Sequence, residues 1–100
     1  MAQKRVLCDK TEMVLMVVGK KKVEAVNLRA DQITNIRFEE CKELKFFWLV
    51  PSERIVITSS KRGEPIVYTK MREKRYFEEY KKDMEKFAVE NRITFYNNLK

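Results

Sequence analysis

The sequence predicts an α+β fold: a mainly antiparallel sheet of about six or seven strands, strongly bent or closed into a barrel, with one long C-terminal helix. An amphipathic stretch of helical periodicity lies near the C-terminus, and the short runs rich in β-branched residues lie before it. Glycine and proline occur only between or beside those runs, as expected for turns. Because 100 residues are enough for one core, residues 1–100 are predicted to form a single domain.

The helix is predicted over residues 71–91, a stretch that contains neither glycine nor proline. Thr69 or Lys70 is expected to cap its start. Asn91 is expected to end it in a left-handed conformation, with Ile93 as the apolar contact just beyond. The apolar stripe, which we expect to pack on the strands, consists of Phe77, Tyr80, Met84, Phe87 and Ala88.

The predicted strands are short, and the clearest is the apolar run at residues 13–18, which is too short for a buried helix. Residues 92–96 fit either an extended segment or a final helical turn. The strands are predicted, in chain order, at 5–8, 13–18, 23–28, 33–40, 44–50, 54–59 and 66–69. Turns or polar breaks are predicted between them at 19–22, 29–32, 40–43, 51–53 and 59–64.

The predicted strand at residues 44–50 contains three adjacent aromatic residues. Side chains alternate between the two faces of a strand, so one set is expected in the core. Phe47 and Leu49 then point outwards, and an exposed apolar pair marks a surface for a protein partner or for a homodimer contact. The aromatics could instead stack nucleic-acid bases, but a core strand explains them with fewer assumptions. The predicted core set is Leu44, Phe46, Trp48 and Val50.

The net charge of +7 favours anionic partners. The charges of residues 71–91 cancel, so the excess lies elsewhere in the chain. Its densest clusters fall in two predicted hairpin loops, which an antiparallel meander would bring to the same end of the sheet. We expect weak, salt-sensitive anion binding there, by Lys20, Lys21, Lys22, Lys61 and Arg62.

Chemistry-bearing motifs are absent from the sequence. There is no histidine, no glycine-rich phosphate loop and no nucleophile motif, so we predict no enzyme activity, no catalytic residue, no metal and no cofactor. Cys8 and Cys41 are far apart in the sequence and are expected to be reduced, buried thiols. No apolar run is long enough to be a signal peptide or to span a bilayer, so the expected location is the cytoplasm.

The order and size of these elements resemble the pleckstrin-homology (PH) superfold, in particular the small bacterial PH-like domains. Eukaryotic PH domains typically carry a tryptophan in the C-terminal helix, whereas Trp48 lies on a predicted strand and Phe87 is the large aromatic residue near the helix end. The resemblance implies a non-enzymatic binding module that presents a surface to a protein partner or, at the basic loops, to an anionic group such as a lipid. The alternative is a small nucleic-acid-binding domain whose basic loops grip phosphates.

Overall fold

Two β-sheets and an α-helix make up the fold in the computed structural model, which describes residues 4–19 and 21–99. The α+β class and the predominance of antiparallel strands are confirmed. In chain order the elements are β1 (Val6–Cys8), β2 (Glu12–Val18), β3 (Val23–Arg29), a 3₁₀ turn (Ala30–Gln32), β4 (Ile33–Lys45), β5 (Trp48–Ser59), β6 (Ile66–Thr69), α1 (Phe77–Glu90) and β7 (Thr94–Asn97).

The strands form two separate sheets, so the alternative of a closed barrel is wrong for the described residues. One sheet has the order β1-β2-β3 and is antiparallel throughout. The other has the order β6-β5-β4-β7, in which β7 runs parallel to β4. The 3₁₀ turn separates β3 from β4 at the polar break predicted for residues 29–32, and there the chain leaves the first sheet for the second.

The helix closes the core between the two sheets. All five residues of the predicted apolar stripe are buried, as expected. They share one cluster with buried residues of both sheets. Two tyrosine hydroxyls add polar links: Tyr68 donates to the carbonyl of Met16 at 2.8 Å, and Tyr80 accepts from the main-chain N–H of Arg5 at 2.7 Å.

The helix begins at Phe77, so the predicted start at residue 71 is wrong. Residues 70–76 form successive turns, and the side chain of Glu73 within them is buried. Its buried carboxylate lies 2.7 Å from Arg5, and its carbonyl accepts from the main-chain N–H of Phe77 at 2.8 Å. Tyr76 occupies the N-cap of α1 without a side-chain hydrogen bond, so neither Thr69 nor Lys70 caps this helix. Thr69 caps the preceding turns instead, since its hydroxyl accepts from the main-chain N–H of Arg72 at 3.3 Å.

The left-handed residue that ends the helix lies one position after the predicted one, and the helix itself ends at Glu90. Asn91 has a φ of −104°, and Arg92 adopts the left-handed conformation with a φ of 55°. Ile93 donates its main-chain N–H to Ala88 at 2.9 Å, and Arg92 donates to Val89 at 3.4 Å, the paired bonds of a Schellman motif. Asn91 instead uses its side-chain amide to reach the Phe87 carbonyl at 2.9 Å. Ile93 is partly buried against the core, as expected for the residue after such a cap.

Candidate functional site

The β4–β5 hairpin extends well beyond the rest of its sheet. β6 pairs with β5 only over residues 54–57, and β7 pairs with β4 only over residues 35–38. The β4–β5 ladder nevertheless continues to the pair Lys45–Trp48. From the pair Glu40–Glu53 to that point, five steps of about 3.3 Å make a two-stranded arm of roughly 17 Å.

Continuous pairing along this arm overturns two predicted breaks. Residues 40–43 lie inside β4, and residues 51–53 lie inside β5. Pro51 is tolerated in the strand because, in this part of the arm, β4 is the only described strand that pairs with β5. One edge of β5 is therefore free of ladder hydrogen bonds, and proline, which lacks an N–H, is confined to such edges.

The end of the arm, residues 44–49, exposes five large apolar side chains; we call it the hairpin tip. The prediction that Leu44, Phe46 and Trp48 enter the core is wrong, because the arm carries them past the end of the core. Val50 is only half-buried. The exposed fractions are 66% for Leu44, 81% for Phe46, 94% for Phe47, 72% for Trp48 and 67% for Leu49.

The turn at the hairpin tip consists of Phe46 and Phe47 alone. Phe46 has a φ of 58°, in the left-handed region that glycine and asparagine usually occupy in two-residue hairpin turns. An aromatic residue in this conformation costs about 1–2 kcal/mol relative to the right-handed one. The requirements of the turn therefore do not explain why aromatic residues are present here.

Polar contacts fix the outer part of the arm, next to the hairpin tip, on the folded body. The carboxylate of Glu43 accepts from the Ser52 hydroxyl and, at 3.3 Å, from the main-chain N–H of Met71. Burial acts to raise the pKa of Glu43, but hydrogen bonds from Ser52, Thr69 and Met71 outweigh it and lower the pKa. The carboxylate therefore remains charged at neutral pH and holds the arm against the segment that follows β6.

A second contact links the arm to the helix. The ammonium of Lys81 lies 2.9 Å from the carboxylate of Glu53, and the main-chain N–H of Lys70 donates to the Glu53 carbonyl at 2.9 Å. Glu53 lies at the start of the arm on β5, and Glu43 lies three residues further out on β4. The hairpin tip is thus presented on an arm that is anchored at two levels.

Three exposed lysines lie on or beside the arm that carries the hairpin tip. Lys42 and Lys45 project from β4 and are exposed, and Lys70 lies across an open cleft of about 490 Å³ that Lys42 also lines. None of these three lysines takes part in the ion pairs found among the described residues. Of the nearby acids, Glu53 is paired with Lys81, and Glu40 is exposed. The arrangement is an apolar finger with free positive charge at its base.

The predicted basic loops lie side by side along β3. Lys20 lies outside the described residues, and Lys21 and Lys22 are exposed. Lys61 donates to the carbonyl of Asn27 at 3.1 Å, and the guanidinium of Arg62 lies 3.8 Å from the carboxylate of Glu24. Two of the five predicted anion ligands are therefore engaged by β3, which leaves less of their charge for a ligand.

The two cysteines are free, and both are half-buried. Burial raises the pKa of the Cys8 thiol to about 11, and the nearby Asp83 carboxylate acts in the same direction. Cys41 lies on the arm, where burial and then Glu43 raise its pKa as well. Neither environment activates a thiolate, so neither cysteine is a candidate nucleophile.

We expect the Cys8 thiol to resist alkylation at pH 8. A pKa of about 11 instead of 9.0 leaves about 100-fold less thiolate, and the thiolate is the reactive form. Iodoacetamide labelling of the Cys41→Ser variant, followed by mass spectrometry, measures the Cys8 rate directly, and the unfolded protein in denaturant supplies the reference rate. Equal rates in the folded and unfolded protein would contradict this environment for Cys8.

The part of the chain that the structure describes contains no candidate metal site and no candidate membrane-spanning helix. Within residues 4–19 and 21–99, no three cysteine or acidic side chains converge in a way that could hold a metal ion. No helix in these ranges is long and apolar enough to cross a bilayer. Comparisons with protein-family models, with curated proteins and with solved structures find no match.

Proposed function

We propose that this protein is a non-enzymatic binding module and that the hairpin tip is the element that contacts its partner. The main observation that supports this proposal is that six consecutive residues expose five large apolar side chains. Moving one such side chain out of water contributes about 1.5–3 kcal/mol, so the free surface is costly unless something covers it. Exposed apolar clusters of this kind mark interaction surfaces.

Two further observations support the proposal. The arm is anchored by Glu43 and Glu53, so its end is presented in one orientation at little entropic cost to binding. The left-handed Phe46 places an aromatic residue where the backbone favours glycine. Strained conformations of this kind cluster at functional sites.

The PH-like resemblance fits a binding role, but its expected site differs from the hairpin tip. That site is the pair of basic loops, where Lys61 and Arg62 contact β3. We retain these loops as a secondary, weak anion site. Phe47 and Leu49 belong to the hairpin tip. A homodimer contact at these two residues is therefore one form that partner binding by the hairpin tip could take.

A nucleic-acid-binding role is the second candidate, because three adjacent aromatics are exposed beside Lys45. Stacking on aromatic side chains and contacts from lysine to phosphates are the two elements of single-strand binding. Affinity for single-stranded DNA or RNA should then fall log-linearly with salt concentration as counterions are released. An affinity that does not change with salt would argue against this role.

A photo-crosslinking amino acid at position 47 tests the proposal without assuming the partner. In cells that express the full chain, irradiation should give covalent adducts at position 47, because Phe47 is at the apex of the hairpin tip. Val89, an exposed apolar residue on the outer side of α1, is the matched control position. Digestion with protease, nuclease or lipase then sorts the adducts by class. Equal, background-level adducts at both positions would overturn the proposal.

A further inference from the structure

We propose that the hairpin tip inserts into the interfacial region of an anionic lipid bilayer. This inference rests on the proposed function and names the partner class for the same element. A cation-flanked apolar finger fits a membrane surface because apolar residues enter the boundary between headgroups and acyl chains, while lysines meet anionic headgroups. Tryptophan at position 48 suits this location, since its amphipathic ring favours the headgroup level.

The shape of the hairpin tip favours a lipid bilayer over a folded protein as its partner. Leu44 and Leu49 pair across one face of the arm, Trp48 lies on the other face, and the two phenylalanines form the apex. The apolar surface therefore wraps around a convex end and offers no flat patch for a second copy. A protein partner would need a groove that surrounds the finger, whereas lipid conforms to it.

The length of the apolar segment matches interfacial depth. From the pair Leu44–Leu49 to the apex is two to three residues, or roughly 7–10 Å of strand. Interfacial apolar elements are buried about 5–10 Å at the headgroup–acyl boundary. Deeper insertion is opposed because both edges of the two-stranded arm carry unpaired backbone polar groups that need water.

The charge at the root of the hairpin tip complements anionic lipid. Lys42 and Lys45 precede the apex on β4, and Lys70 lies across the cleft from Lys42. The acids at the same level are Glu40, Glu43 and Glu53. Lys81 pairs with Glu53, but the donors to Glu43 are neutral, so Glu40 and Glu43 both subtract from the three lysines and leave an excess of one positive charge.

The test uses Trp48, the only tryptophan in the chain, as an internal reporter. Phosphatidylcholine vesicles with and without phosphatidylserine are titrated into the full-length protein at low salt. We expect the emission of Trp48 to shift to shorter wavelength with the anionic vesicles, and acyl chains brominated near the headgroup to quench it. Co-sedimentation with the vesicles should measure the same affinity.

Variants separate insertion from simple charge attraction. Phe47→Ser with Leu49→Ser removes two apolar side chains that insertion would bury in the bilayer and should weaken binding at least about 100-fold. Lys42→Gln with Lys45→Gln should weaken it about 25-fold, since each lysine near an anionic surface is worth about fivefold. Val89→Ser and Lys82→Gln are the matched controls on exposed positions of α1 and should leave vesicle affinity unchanged. Circular dichroism verifies that every variant is folded.

The outcomes separate this inference from the broader proposal. Vesicle binding that survives Phe47→Ser/Leu49→Ser but is lost in Lys21→Glu/Lys22→Glu would overturn the inference in favour of the basic loops. A concentration-dependent dimer in sedimentation that Phe47→Ser abolishes, without vesicle binding, would assign the hairpin tip to a second copy. Protein or nucleic-acid adducts at position 47 without vesicle binding would likewise overturn it and leave the binding module standing. If position 47 gives no adducts and the protein does not bind vesicles, both the membrane inference and the proposed function are overturned.

Discussion

Replacing Phe87 with alanine should lower the free energy of unfolding by about 3–5 kcal/mol. Phe87 is 3% exposed and belongs to the cluster that joins the helix to both sheets. The substitution removes the apolar transfer energy of the ring and leaves a cavity that close-packed neighbours cannot fill. Since domains of this size are stable by about 5–15 kcal/mol, the variant should be marginally folded at best.

Urea denaturation followed by far-ultraviolet circular dichroism measures this change. Trp48 fluorescence is unsuitable as a folding signal, because its ring is exposed in the folded protein. Val89→Ala on the same helix is the control: Val89 is 69% exposed, so its change should stay within about 0.5 kcal/mol. Similar midpoints for the two variants would show that the helix does not cover the core as described.

The second largest loss is expected from Arg5→Ala, at about 2–3 kcal/mol. Arg5 lies 2.7 Å from the carboxylate of Glu73, whose side chain is only 6% exposed. Removing the guanidinium leaves a buried charge without its partner, which costs about 3–5 kcal/mol in fully buried pairs. The lower figure applies here because the Arg5 side chain is itself 39% exposed.

Two further variants isolate the ion pair. Lys4→Ala, one residue earlier, breaks only partly exposed contacts with Glu79 and Asp83 and should change stability by less than about 1 kcal/mol. Adding Glu73→Gln to Arg5→Ala removes the stranded charge and should recover part of the loss. If Arg5→Ala is no worse than Lys4→Ala in thermal or chemical unfolding, the pair is not structurally important.

The apolar stripe of the helix could be predicted from the sequence because burial of one helix face produces a period that short windows reveal. The start of the helix could not. Residues 71–76 have good helix formers and no breaker, but they form turns in which the buried Glu73 side chain pairs with Arg5. Arg5 and Glu73 are 68 residues apart, so their contact leaves no local signal, and the predicted boundary at residue 71 is six residues too early.

For the hairpin tip, a strand was expected in the core, but the structure places a turn and an exposed end there. Residues 44–50 are apolar except for Lys45, as in a strand covered on both faces, and neither glycine nor asparagine marks a turn at Phe46. The charged run at residues 39–43, most of which is predicted as a break at 40–43, contains the relevant signal. A strand with charges on both faces, Glu40 and Lys42 on one and Glu39 and Glu43 on the other, is a strand that has left the core. The exposure of Phe47 and Leu49 was predicted, and that of Leu44, Phe46 and Trp48 was not.

The parallel pairing of β7 with β4 ties completion of the fold to the order of synthesis. β4 leaves the ribosome early, but the partner for its edge at residues 35–38 is residues 94–97, which emerge only after the helix. Contacts between such distant segments close slowly, because a long loop must be ordered first. Until then the edge carries unpaired N–H and C=O groups that can pair with another chain. A nascent chain stalled just before Thr94 would therefore offer an open strand edge to chaperones or to its neighbours on the same messenger RNA.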